Sequence, residues 1–147
     1  MIKRIFYILL LSFLFSESKL PNDVRWVVDS DEYKFLCHQI YSYAKQQLNQ
    51  YQDKKINKNL AVVMDLDETV LDNSQYQIDI FNKNETYTPE TWAKWVLKED
   101  AKLVPGAKEF IDTIRNHGLQ LIFISNRMDE RLQATKNNMK KCDIFSD

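Results

Sequence analysis

Two carboxylates spaced two positions apart, Asp65 and Asp67, directly follow the apolar run Leu60 to Met64. A buried strand that ends in paired charges is costly unless a cation or a substrate meets them. The spacing suits phosphoryl transfer. Asp65 can attack phosphorus and carry it as an aspartyl phosphate. Asp67 can protonate the leaving oxygen and later take a proton from water. A divalent cation would hold the attacking carboxylate and the phosphate together, and hard oxygen ligands favour Mg²⁺. Ser125 and Asn126, at the end of a second apolar run, could donate hydrogen bonds to the phosphoryl oxygens. A calcium loop starting at Asp65 is excluded, because its fifth, sixth and twelfth positions are Thr69, Val70 and Tyr76, not an oxygen ligand, Gly and Glu. From residues 65–69 alone, a solvated acidic turn after a strand explains the pattern equally well.

The elements that must position these residues follow from periodicity. Leu60 to Met64 is too short for an ordinary helix and is valine-rich, which predicts a parallel strand buried on both faces. Leu119 to Ser125 predicts a second buried strand with a polar end. From Asp29 or Ser30 a long helix is expected, with Asp31 and Glu32 in its first turn. Its apolar stripe, from Tyr33 through Cys37 and Leu48 to Tyr51, should pack on the sheet. Ser74 to Tyr87 has no clean period and reads as loop with at most a short helix. Thr88-Pro89-Glu90 starts a helix that puts Trp92, Trp95 and Val96 on one face. Gln75 to Leu103 is therefore an insertion between two sheet strands, where a cap would sit. Further helices are expected over Ala107 to His117, closed by Gly118, and over Asp129 to Lys141, with Leu132, Thr135 and Met139 inward. The fold class is α/β, built on right-handed crossovers that bring both strand ends to one side.

Composition narrows the function. The chain has 147 residues, enough for one ordinary domain. Its 20 Lys and Arg against 21 Asp and Glu give no electrostatic argument for nucleic acid or an anionic membrane. With only Gly106 and Gly118 present, glycine-rich phosphate loops are excluded. Lys3 and Arg4 precede an apolar run, Ile5 to Phe15, too short for a confident membrane span. Residues 1–18 thus read as a signal peptide cleaved after Ser18, leaving an exported chain of residues 19–147 without a stable membrane anchor. An uncleaved anchor on an interaction module is the competing reading.

The stretch D-L-D-E-T-V-L-D-N-S-Q-Y, Asp65 to Tyr76, resembles the first signature of the haloacid dehalogenase (HAD) superfamily in its class C acid phosphatase form. The resemblance extends to Trp92-Ala93-Lys94-Trp95-Val96, Val104-Pro105-Gly106-Ala107 and Ile124-Ser125-Asn126-Arg127. Arg25-Trp26, Glu32-Tyr33 and Tyr41 to Lys45 resemble the family's N-terminal helical region. It implies an incomplete Rossmann-like parallel sheet of HAD type, with flanking helices and a small cap insertion over about residues 75–103. It also implies a Mg²⁺-dependent, periplasmic or secreted phosphomonoesterase, often acting on nucleoside monophosphates.

On this sequence the resemblance makes Asp65 the nucleophile. Asp67 becomes the acid/base and, through its backbone carbonyl, a second metal ligand. Ser125 and Asn126 would grip phosphate, and Trp92, Trp95 and Tyr76 are candidates to stack on a substrate ring. The lipid-attachment cysteine of many class C members is absent. Cys37 and Cys142 could pair in an oxidising compartment. The superfamily's later lysine and acidic metal-binding pair have no counterpart in a strand context beyond Ser125, so the chain is expected to end before those motifs. An exposed parallel edge would then favour a homo-oligomer. The alternative is a catalytically incomplete fragment, or a non-catalytic protein of the same fold that binds phosphate or metal.

Overall fold

The computed structural model describes residues 20–53 and 60–145. The expected signal peptide, and most of the polar connection into the first strand, lie outside the described residues. In chain order the elements are α1 (Asn22–Asp29), α2 (Asp31–Asp53), β1 (Ala61–Asp65) and β2 (Leu71–Asp72). Then come α3 (Ser74–Asn82), α4 (Pro89–Val96), β3 (Lys102–Leu103), α5 (Ala107–Asn116), β4 (Gln120–Ile124), a 3₁₀ turn (Asp129–Arg131) and α6 (Leu132–Lys141). Strands β1 and β4 pair in parallel, and β2 and β3 form a short antiparallel pair. The α/β class with a parallel sheet and flanking helices is therefore observed.

Local chemistry explains several boundaries. The Ser30 hydroxyl accepts a bond of 3.0 Å from the Tyr33 N–H, capping α2 where α1 ends. Thr88 and Thr91 exchange side-chain and backbone bonds at the start of α4, with Pro89 in its first turn. Gly106 precedes α5 at φ 88°, a left-handed conformation that glycine adopts freely. A side chain there would meet Tyr41 and His38 at 3.0 and 3.2 Å.

Several expectations change. The lead-in before Ser30 contains a helix, α1, and the aperiodic segment after Asn73 is helical from Ser74 to Asn82. The stripe on α2 is only partly core: Cys37 and Leu48 are buried, whereas Leu36, Ile40, Tyr43 and Tyr51 are exposed. On the helix after β4, Thr135 and Met139 point inward as expected, but Leu132 is exposed, and Ala134 and Asn138 are buried instead. Both cysteines are free thiols.

The largest correction concerns the strands. Each has one covered face and one open face, so neither is buried on both sides. Val63, Ile122 and Ile124 are 57%, 37% and 60% exposed. The helices that contribute to the core leave this face bare. A valine-rich run reports apolar composition, not how many layers cover it.

The core gathers Met64 of β1, Leu66 and Val70 of the following loop, Leu71 of β2, Tyr76 and Trp95 of the insertion, Ile111 and Ile114 of α5, and Met139 of α6. It therefore lies directly beneath the residues that follow β1.

Candidate active site

The parallel register sets the geometry. Asp65 pairs with Ile124, so the chain leaves both strands side by side, Leu66 to Val70 from β1 and Ser125 to Arg127 from β4. Asp65 is exposed at this end. The loop after it is a tight turn around one carbonyl: Leu66 O accepts from the N–H groups of Val70 (2.8 Å) and Leu71 (2.7 Å). Glu68 N–H returns to Leu71 O at 2.9 Å, and Glu68 stands at φ 57° in the left-handed region. The turn is pinned from below because Leu66, Val70 and Leu71 are buried. It is pinned from the side by Tyr41 of α2, whose hydroxyl donates to the Thr69 carbonyl.

Asp67 occupies the centre of a polar network. Arg127 Nε donates to Oδ1 (3.2 Å) and Oδ2 (3.0 Å) of Asp67, and Nη2 donates to Oδ1. Arg127 Nη1 donates to Thr135 Oγ1 at 3.1 Å. The guanidinium carbon lies 5.6 Å from the Trp92 ring centroid. Asn73, buried, donates to Asp67 Oδ1 (2.9 Å) and Glu68 Oε1 (3.0 Å), and its own oxygen accepts from Trp95 Nε1 at 2.8 Å. Desolvation pushes the Glu68 carboxyl up; the Asn73 bond opposes this, and the neighbouring Asp67 charge adds to it.

Ser125 Oγ accepts from the Arg127 N–H at 3.1 Å, which leaves its own O–H to donate outward. A cleft of about 430 Å³ opens beside Asp67, lined among others by Glu68, Tyr87, Trp92, Asn126 and Arg127. The larger groove, about 620 Å³, lies elsewhere: it follows the outer side of β4 between Leu121, Phe123, Leu132 and Phe145, and has Ser125 at its end.

The structure thus brings Asp65, Asp67, Ser125, Asn126 and Trp92 to one end of the sheet. Tyr76 and Trp95 sit deeper. Trp95 is 3% exposed with its N–H bonded to Asn73, and the buried Tyr76 shares a 2.9 Å hydroxyl contact with Thr91 while reaching the cleft wall. Among the described residues, no three His, Cys, Asp or Glu side chains converge to hold a metal. The Asp65 carboxylate and the Asp67 carbonyl are hard oxygen donors. They fit Mg²⁺, which keeps several waters and takes few protein ligands. The Asp67 carboxylate is already engaged by Arg127 and Asn73.

Sequence reasoning missed two residues of the network. Arg127 carried a signal, since it directly follows the polar end of β4. Asn73 gave none, because nothing local marks an asparagine as buried.

The sequence model of the HAD superfamily, subfamily IIIB (Acid phosphatase), matches residues 16–147. The chain belongs to this family. Two solved structures of the class C acid phosphatase from Bacillus anthracis, one with tungstate bound, are similar at 34% identity and a TM-score of 0.77, over 81% of this chain and 50% of theirs. A curated relative, the Stem 31 kDa glycoprotein of Glycine max, is 25% identical over 89 residues, 60% of this chain and 35% of that protein. The chain therefore spans half the length, or less, of these relatives.

Proposed function

We propose that the chain is a Mg²⁺-dependent phosphomonoester hydrolase of the acid phosphatase type, working through an aspartyl phosphate on Asp65. The observation that carries this reading is the Asp65–Ile124 register, which brings a strand-end carboxylate level with the strand end that leads into Ser125, in a chain of an acid phosphatase family. An Asp65 oxygen attacks phosphorus and the ester oxygen leaves, taking the proton of Asp67, which enters this step as the carboxylic acid and leaves it as the carboxylate. Asp67 then takes a proton from water, whose oxygen attacks the aspartyl phosphate and releases inorganic phosphate, restoring Asp65. The Ser125 O–H and the Asn126 amide donate to phosphoryl oxygens as their charge grows. Mg²⁺, held by the Asp65 carboxylate and the Asp67 carbonyl, would supply the positive charge that lets two anions meet.

The substrates are small phosphomonoesters, nucleoside monophosphates among them, with the ring against Trp92. Residues 75–103 serve as the cap, residues 1–18 direct export to the periplasm or medium, and copies of the chain associate through the open sheet. The second reading, a phosphate- or metal-binding protein without turnover, is favoured by one observation: the Asp67 carboxylate is occupied by Arg127.

The test is hydrolysis of a chromogenic phosphomonoester by the 147-residue chain with Mg²⁺ or with EDTA, beside Asp65→Asn. Turnover that needs metal and falls at least about a thousandfold in the variant is expected. Equal rates in the two proteins would leave only binding.

A further inference from the structure

We infer that Arg127 is the positioning residue of this site, a clamp that sets the Asp67 carboxylate and ties it to helix α4 of the insertion. The inference rests on the phosphatase reading for its kinetic consequence, and on geometry alone for the coupling. Arg127 is 60 positions from Asp67 in sequence, and its side chain is 4% exposed. Its donors are divided between two parts of the chain, and its guanidinium meets a third. Nε and Nη2 hold both oxygens of Asp67 in the loop after β1, and Nη1 holds Thr135 of α6. Its guanidinium carbon stands over the Trp92 ring of α4, 5.6 Å from the centroid.

Only a planar, forked cation can satisfy these demands together. A lysine would place one point charge, and could not bridge both Asp67 oxygens while also reaching Thr135. A second path supports the same link: α4 also reaches Asp67 through Trp95, which donates to Asn73, which donates to Asp67. Arg127 is the more direct path, and the one that touches the cleft. A displacement of α4 therefore acts on the carboxylate that handles the proton.

The experiment compares the full chain with Arg127→Gln, Arg127→Lys, Asp67→Asn and the double variant Arg127→Gln/Asp67→Asn. Amide hydrogen exchange across Pro89–Val96 is read by mass spectrometry, together with hydrolysis of a chromogenic phosphomonoester and melting temperature. Arg127→Gln and Asp67→Asn should each speed exchange in α4 several-fold, and the double variant should add little to Arg127→Gln. In turnover, Arg127→Gln should lower kcat at least tenfold with KM changed less than threefold, and Arg127→Lys should recover only a small part. Those kcat values are taken at temperatures where every variant remains folded.

Unchanged exchange in α4, or additive effects in the double variant, would overturn the coupling. A kcat kept by Arg127→Gln, restored fully by Arg127→Lys, or raised would overturn the positioning role. Should the unaltered chain turn nothing over, the phosphatase reading falls, and the exchange measurement still decides the coupling.

Discussion

Asn73 shows how much can depend on one side chain buried away from solvent. It is 1% exposed and joins three groups: it donates to Asp67 and Glu68 and accepts from the indole of Trp95. Asn73→Ala leaves the Trp95 N–H without an acceptor in the core and removes a donor from two carboxylates. A buried donor left unpaired costs about 1–3 kcal/mol, so a loss of roughly 2 kcal/mol is expected in denaturant unfolding. A loss under about 0.5 kcal/mol would mean that water replaces the amide. At this scale, residue types and spacing made Asp65, Asp67 and Ser125 legible. The network around Asp67 was not, because Asn73 and Arg127 act through partners 22 and 60 positions away. Such partners become visible only once the chain has folded.

Among the elements, boundaries with a chemical marker were readable and faces were not. Ser30, Thr88-Pro89 and Gly118 each announced a helix end, and the structure places ends at or beside them. α3 gave no periodic signal because its sequence, S-Q-Y-Q-I-D-I-F-N, buries Tyr76 but only partly covers Ile78, Ile80 and Phe81. It is held instead by neighbours. Asp79 of α3 bonds Lys98, just beyond α4, and this bond, helped by Gln75, holds the Asp79 carboxyl below the usual carboxylate range. A carboxyl whose folded pKa is depressed adds stability fully above its unfolded value of about 3.9. That contribution is lost as pH falls through the folded value. Asp79→Asn should therefore lower the melting temperature at pH 7, and the difference should shrink below about pH 4 and then vanish. With Lys98 48% exposed, the effect should stay under about 1 kcal/mol. A difference that persists unchanged at pH 2 to 3 would show that Asp79 acts through packing.

For the molecule as a whole, the decisive quantity is uncovered apolar surface. β1 and β4 pair only with each other among the described residues, and one face of the pair stays open. An open parallel pair with free edges is a template for further strands. The unaltered chain should therefore sediment heavier than a single copy. Val63 and Ile122 are register partners on the open face, so Val63→Glu with Ile122→Lys puts opposite charges across from each other and keeps the pair together. The double variant should shift the chain toward a single copy while stability changes by less than about 1 kcal/mol. An unaltered chain that already sediments as one copy at high concentration would remove this expectation. The α/β class was legible from two apolar runs with polar ends. The number of covering layers was not, because a strand covered on one face can be as apolar as one covered on both.

The small β2–β3 pair also bears on the order in which the molecule assembles. Joining β1 to β4 means closing a long stretch of chain, and loop-closure entropy grows with the logarithm of its length. Pairing Leu71 with Leu103 brings the two ends of the intervening segment together. Were this clasp to close before β1 meets β4, residues 74–101 would form a closed local loop, and the effective path from β1 to β4 would shorten to the few residues before Leu71 plus α5 and its turns. The carboxylates and the serine would then meet late, on a chain already gathered at its waist. Weakening the clasp would slow the search more than it would loosen the finished site.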